Sequence, residues 1–120
     1  MEQSQKISHR YTIYNMEITK ITNNSFNLYK EADYYVLALG VITRQTNRET
    51  ELKITGIDTA TKTVTAKCGC TTTNQTIVDE NTMTISVKYN ECERQFSKVV
   101  EIKDKNQKVI LKIQGTCNNS

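Results

Sequence analysis

The residues of this chain that are best suited to metal or redox chemistry are its four cysteines, because four thiolates are numerically enough for a tetrahedral zinc site. Cys68 and Cys70 flank Gly69, whereas Cys92 and Cys117 each stand alone. Structural zinc sites usually place paired thiols about two to four residues apart, and a one-residue gap on a strand separates two sulfurs by about 7 Å on one face. A disulfide between Cys68 and Cys70 would be strained for the same reason. We therefore expect Cys68, Cys70, Cys92 and Cys117 to be buried, inert structural thiols, with metal or redox chemistry as the alternative.

Other catalytic chemistry has few residues to draw on. The single histidine, His9, lies in the N-terminal segment, and nucleophilic catalysis needs a base beside its nucleophile. The four glycines are too widely spaced for a phosphate-cradling loop. The net charge is only +3, and the lysines between residues 98 and 112 are diluted by Glu101 and Asp104. We predict a protein that is not an enzyme, carries no cofactor or metal, and does not bind nucleic acid.

The length of 120 residues, with 37% hydrophobic and 24% charged side chains, fits one compact domain. The longest apolar run, residues 34–42, is shorter than the roughly 20 residues of a membrane-spanning helix. The first ten residues have neither the cationic start nor the apolar stretch of a secretory signal. We expect a protein that is made in the cytoplasm and does not bind membranes, with an N-terminal arm at residues 1–14 and a folded domain at residues 15–120.

The composition and the periodicity predict strands. Thr is the commonest residue and Pro is absent, and apolar residues alternate with polar ones from residue 82 to residue 89. Residues 96–102 and 109–113 repeat the pattern on either side of the turn Asp104–Gln107, which predicts a hairpin.

Alternation at residues 52–54 and 64–70 suggests a second hairpin, and two short strands are expected around residues 16–18 and 26–28. About seven short strands and no helical period favour an all-β fold, an antiparallel immunoglobulin-like β-sandwich.

One segment breaks the alternation, because residues 34–42 are apolar at both parities. If the segment is a single strand, its outer face carries Tyr34, Val36 and Ile42, which are candidates for contact with a partner protein. The alternative is that these three are ordinary exposed apolar residues. In the arm, Arg10, Tyr11 and Tyr14 are further contact candidates, because Arg and Tyr are favoured interface anchors; scattered surface aromatics are the alternative.

Several segments also occur in a familiar order: Cys68-Gly69-Cys70-Thr71, the alternating strand Met83 to Tyr89, then Phe96 to Ile102 and Val109 to Gly115. In these the chain resembles the Cys-Gly-Cys-Thr immunoglobulin-like domains of unknown function of Bacteroidetes, and it is similar to the wider group of major-sperm-protein-like sandwiches. Members of that family usually carry an export or lipoprotein signal and a Pro-Gly turn, whereas this chain reads Asp79-Glu80-Asn81 at the turn.

A single-domain sandwich without the export signal resembles a protein that a phage of these bacteria, of the crass-like lineage, has adopted for its particle. The resemblance implies a virion structural protein, made in the host cytoplasm and present in multiple copies on a symmetric particle. Its expected role is that of an auxiliary or decoration capsid protein, bound to the major capsid protein or another virion protein and reinforcing the shell. The competing expectation is a bacterial binding module that recognises a peptide or a glycan through end loops at residues 71–77 and 91–95.

Overall fold

The structure is a computed structural model that describes residues 15–118. The predicted arm, residues 1–14, lies outside the described residues, as do Arg10, Tyr11 and Tyr14. Between residues 15 and 118 the chain forms nine strands. Their bounds are β1 Glu17–Lys20, β2 Asn27–Lys30, β3 Tyr34–Thr43, β4 Glu49–Thr55, β5 Thr63–Ala66, β6 Thr71–Asp79, β7 Thr82–Tyr89, β8 Phe96–Lys103 and β9 Lys108–Asn118.

The strands form two sheets that pack as a sandwich, so the predicted all-β sandwich is confirmed. The four-stranded sheet has the order β1-β4-β7-β6 and the five-stranded sheet the order β2-β3-β9-β8-β5. All neighbours are antiparallel except β3 and β9, which run parallel. The count exceeds the expected seven, and the strand that the sequence did not predict is β6, whose residues were interpreted as a loop. No helix of the described residues has the length and apolar character needed to cross a membrane.

The core lies between the inner faces of the two sheets. In β7 the apolar residues of the alternation, Met83, Ile85, Val87 and Tyr89, are all buried, which confirms the predicted strand. Opposite them, β8 and β9 form the predicted hairpin, with Val100 paired to Leu111. The alternation of apolar and polar residues therefore predicts a strand correctly where one face of the strand is buried and the other is exposed to solvent.

The expected hairpin between residues 52–54 and 64–70 is wrong. β4 lies in the four-stranded sheet and pairs with β1 and β7, whereas β5 pairs with β8 in the other sheet. The chain changes sheets after Gly56, which has a φ of 72°. A Cβ at this glycine would lie 2.1 Å from the backbone oxygen of Asn15, so only glycine allows this crossing.

Two further expectations concern the ends of the sandwich. Residues 71–77 are not a loop, because they form most of β6, the edge strand of the four-stranded sheet. Residues 91–95 do form a loop, between β7 and β8. At the opposite end, Asp104 links two connections, since its carboxylate accepts hydrogen bonds from the backbone N–H groups of Asp58, Asn106 and Gln107.

Candidate protein-contact surface

β3 is an internal strand of the five-stranded sheet, between β2 and β9. Side chains of a strand alternate between the faces of its sheet, so Tyr35, Leu37 and Leu39 enter the core whereas Tyr34 and Val36 point away from it. The prediction of one strand covered on both faces is thus correct from Tyr35 to Leu37, all three of which are buried.

The predicted contact residues on β3 have different environments. Tyr34 is half-buried on the outer face, as expected. Val36 is on that face but only 2% exposed, because Tyr29 and Lys112 lie opposite it on the two neighbouring strands. The prediction that Val36 is available for direct contact is therefore wrong.

Ile42 is also not a surface residue: it is 2% exposed and belongs to the core. The reason is a β-bulge, since the register between β3 and β9 shifts between Ala38 and Gly40. One extra residue reverses the parity of the strand, so Ile42 turns inward and Val41, 70% exposed, turns outward. Gly40 supports the bulge with a φ of 69°.

The neighbours of β3 extend this surface across the sheet. Residues paired laterally share a face, so Tyr34 stands beside Ile110, and Val36 stands in a row with Lys112 and Val99. The Lys112 ammonium lies 4.1 Å from the centre of the Tyr34 ring, a cation–π contact. We call this surface, together with the outward-pointing Val41 beyond the bulge, the outer face; it consists of Tyr29, Tyr34, Val36, Val41, Val99, Ile110 and Lys112.

Beside the outer face, the bulge opens a shallow groove of about 640 Å³. Small residues form much of its floor, among them Ala38, Gly40 and Gly115. Gly115 must be small, because a Cβ there would lie 2.8 Å from both the Gly40 backbone oxygen and the Phe96 ring. The rest of the lining is Val41, Gln95, Phe96, Ser97, Gln114 and Thr116. The groove can therefore receive one apolar side chain of a partner beside several hydrogen-bonding groups.

The expectation that the four cysteines are free structural thiols is wrong, because all four form disulfides. Cys68 is bonded to Cys70 and Cys92 to Cys117. The spacing argument failed because residues 68–70 form a turn between β5 and β6, where the two Cα atoms are 5.1 Å apart instead of the distance expected on a strand. Cys92–Cys117 ties the loop after β7 to the end of β9. Disulfides are typical of secreted proteins and of particle surfaces.

The ionisable groups with shifted pKa values have structural partners. Burial raises the pKa of Tyr89, whose hydroxyl accepts a hydrogen bond from the Glu93 N–H at 3.2 Å and whose ring stacks on Phe96. For Asp104, burial raises the pKa, but the hydrogen bonds to its carboxylate outweigh burial and hold the pKa below its usual value. Within residues 15–118, no three His, Cys, Asp or Glu side chains come together as a metal site.

Comparisons with known proteins leave the family open. No family model matches the chain, and no curated protein does. Among solved structures, the crystal structure of the S-layer protein SbsC domains 4 and 5 matches with a TM-score of 0.49 and 13% sequence identity. The match covers 83% of this chain and 54% of that chain, so this chain corresponds to about half of that structure.

The candidate contact residues that the sequence did not reveal are Tyr29, Val41, Val99 and Ile110. Tyr29 belongs to a four-residue strand, and Val99 and Ile110 interrupt otherwise regular alternations in β8 and β9. Those interruptions were the available signal, because an apolar residue at an outward position is a departure from the period of a half-buried strand.

Proposed function

We propose that this protein is a non-enzymatic structural subunit that binds another protein through the outer face of its five-stranded sheet. The observation that supports this most strongly is the group of apolar residues on a face that a two-layer sandwich normally leaves polar; charged residues, Lys112 and Glu101, stand beside them. Tyr29 is 39% exposed and Val41 is 70% exposed, so both have area to bury on a partner. Tyr34 and Ile110 are half-buried side by side at the start of β3, where they give that end of the surface a rigid support.

The energetics of such a contact are favourable. Full burial of an exposed Val side chain contributes roughly 1.5 to 3 kcal/mol, and Val41, which is 70% exposed, would contribute most of that amount. Aromatic residues held by packing bind at low entropic cost, and the Lys112 contact with the Tyr34 ring restrains that ring before binding. The groove at the bulge adds a recess for one protruding side chain, which would fix the register of the partner.

The partner that we propose is the major capsid protein of a phage particle, which this sandwich would decorate as an auxiliary capsid protein. The family resemblance in the segments around Cys68 to Thr71 and Val109 to Gly115 supports this proposal. The two disulfides also suit it, because a particle outside the host is in an oxidising environment. Bound across capsid subunits, the sandwich would reinforce the shell by adding buried area that must be exposed when subunits separate.

Cosedimentation of the purified protein with phage particles tests this proposal. The wild-type protein should pellet with particles in a fixed number of copies. Val41→Lys should reduce the bound copies at least tenfold, because a charge would replace an apolar contact at the rim of the groove. Ile21→Lys is the matched control, since Ile21 is 46% exposed but lies outside the outer face. Equal binding by both variants, with folds verified by thermal unfolding, would refute the outer face as the contact.

A second candidate function, a module that recognises a peptide or glycan, is favoured by the groove. Gln95 from the loop between β7 and β8 lines it together with Ser97 and Gln114, and these groups can hydrogen-bond a polar ligand. A soluble receptor should remain in the supernatant when particles sediment. A glycan or peptide array probed with wild-type protein and with Gln95→Ala would then identify the ligand.

A further inference from the structure

The four-stranded sheet has one long open edge, formed by β6. The sheets have four edge strands among the described residues, and β1, β2 and β5 are only four residues long. β6 has nine residues, Thr71–Asp79, and pairs only with β7 within the part of the chain that the structure describes. A long edge strand exposes a row of backbone groups that can pair with another strand.

β6 has few of the usual features that prevent such pairing; the exception is Lys62, whose ammonium donates a hydrogen bond to the Gln75 side chain at 2.7 Å. Proteins protect exposed edges with Lys, Pro or inward-pointing charges. No charged residue and no Pro occurs between Thr71 and Val78, whereas β1, β2 and the segments flanking β5 all contain Lys. Ile77 and Val78 are 55% and 58% exposed, so the edge offers apolar area as well as backbone groups. A bulge between Ile77 and Asp79 ends the regular register near the C-terminal end of β6.

The hydrogen-bonding pattern shows which residues face outward. The Asn90 N–H donates to the Cys70 oxygen at 2.7 Å, and this pair continues the register between β6 and β7. Because bonding directions alternate along an antiparallel pair, the even-numbered residues of β6 bond to β7. The backbone N–H and C=O groups of Thr73, Gln75 and Ile77 therefore point toward the open edge.

We propose that a second copy of this chain pairs with β6, antiparallel, so that two four-stranded sheets join into one of eight strands. Gln75 is the midpoint of Thr71–Asp79 and has outward-pointing backbone groups, so a two-fold axis at Gln75 gives the longest ladder. In that register Thr73 pairs with Ile77 of the second copy. β6 itself is uncharged between residues 71 and 78, and the nearby Lys62 ammonium is held by the Gln75 oxygen of its own copy, so the edge suits a second uncharged β6 better than a charged partner. This inference does not depend on the proposed function.

The dimer should be weak in dilute solution. A ladder of about five residue pairs buries less than the roughly 1,200 Å² of a stable interface. It should form at high protein concentration, or wherever other contacts hold copies side by side.

Amide hydrogen exchange of the full chain, measured by NMR over a range of protein concentrations, tests the pairing. The amides of Thr73, Gln75 and Ile77 should become protected as concentration rises, in step with dimerisation seen by sedimentation equilibrium. The even-numbered amides Asn74 and Thr76 should be protected throughout, which provides an internal control. The proposal would be overturned if the protein stayed monomeric at all concentrations. It would also be overturned if the odd-numbered amides were protected in the monomer, because another segment would then already cover the edge.

Substitutions at the midpoint test the two-fold axis. Gln75→Pro removes an outward N–H without touching the bonds to β7, so it should abolish the dimer and leave the fold intact. Gln75→Lys should weaken self-association about fivefold, because like charges would face each other across the axis. Gln75→Glu should weaken it less, because the Lys62 ammonium that donates to this position offsets the added charge. An equimolar mixture of the two should dimerise at least as well as wild type. Dimers of undiminished strength in the Pro variant, or no recovery in the mixture, would contradict pairing at Gln75.

Discussion

Removal of each disulfide in turn should destabilise the protein by clearly different amounts. Cys92 and Cys117 are 25 residues apart, whereas Cys68 and Cys70 are two residues apart. In the chain-entropy model a cross-link restricts the unfolded chain more when it closes a longer loop. That model gives about 3.5 kcal/mol for the longer loop and about 1 to 1.5 kcal/mol for the shorter one.

The two double variants, Cys92→Ala with Cys117→Ala and Cys68→Ala with Cys70→Ala, are well matched. Each pair contains one buried cysteine, Cys117 at 2% and Cys70 at 6% exposure, and one half-buried cysteine. The packing lost with the sulfur atoms is therefore similar, and the difference of about 2 kcal/mol reports on loop closure.

Urea unfolding at equilibrium, followed by circular dichroism, measures both losses. The denaturant slope should also rise more in the variant without Cys92–Cys117, because its unfolded chain exposes more surface. A thiol assay under denaturing conditions must first show that the wild-type protein has no free thiol. Equal losses from the two pairs, or a larger loss from Cys68–Cys70, would refute the reasoning from loop length.

Three further substitutions test the packing around the candidate surface and the loop contacts. Gly115→Ala should lower the free energy of unfolding by about 1 to 3 kcal/mol, because the new Cβ would lie 2.8 Å from the Gly40 oxygen and the Phe96 ring. Gly69→Ala is the control: a Cβ there has nothing within 4 Å and should change the free energy of unfolding by less than about 0.5 kcal/mol. Similar melting curves for the two variants would contradict the close approach at Gly115. Asp104→Asn should lower stability at neutral pH by about 1 to 3 kcal/mol, because one amide oxygen cannot accept the same set of hydrogen bonds. The pKa of Asp104 in the folded protein lies below its ordinary value of 3.8, so its contribution to the free energy of unfolding is fully present above that pH and is lost as the pH falls through the folded pKa. The difference in free energy of unfolding between wild type and Asp104→Asn should therefore become smaller in acid. A difference that does not change with pH would count against a charged Asp104. Tyr89→Phe should cost about 1 kcal/mol, since it keeps the stacking on Phe96 but leaves the Glu93 N–H without its acceptor, and an unchanged unfolding midpoint would show that water replaces the hydroxyl.

The fold class was predictable because the strands that build the core have one dry face. β7 and the hairpin of β8 and β9 alternate in the sequence and alternate in burial. Pairing was not predictable in the same way, because alternation identifies a strand but not its neighbour. β3 and β9 pair in parallel although Tyr34 and Ile110 are far apart in the sequence.

β6 was missed as a strand for a related reason. It is an edge strand with only its first residue, Thr71, buried, so neither face is dry enough to produce an apolar period. Its polar residues, Thr72 to Thr76, instead suggested a loop. The ladder with β7 specifies this strand, and that information lies in the register rather than in the residue types of β6.

About half of the candidate contact surface was predictable from the sequence. The segment that is apolar at both parities correctly indicated that β3 carries apolar side chains on its outer side. Because of the bulge, however, the outward residue near the end of the strand is Val41, and Ile42 points into the core. The bulge depends on Gly40 and on the space that Gly115 leaves beside it. Neither glycine identifies a bulge from the sequence alone, because the contact between them joins strands that are distant in the chain.

The outer face and the β6 edge belong to different sheets, which makes the two proposed contacts separable. A partner on the outer face covers the five-stranded sheet, whereas a second copy at Gln75 extends the four-stranded sheet. Because distant substitutions act independently, Val41→Lys should weaken particle binding without changing dimerisation, and Gln75→Pro should abolish dimerisation in solution. If the subunits also touch on the particle, Gln75→Pro should make binding less cooperative while leaving the affinity of isolated copies unchanged. Loss of both contacts in either single variant would mean that one surface serves both.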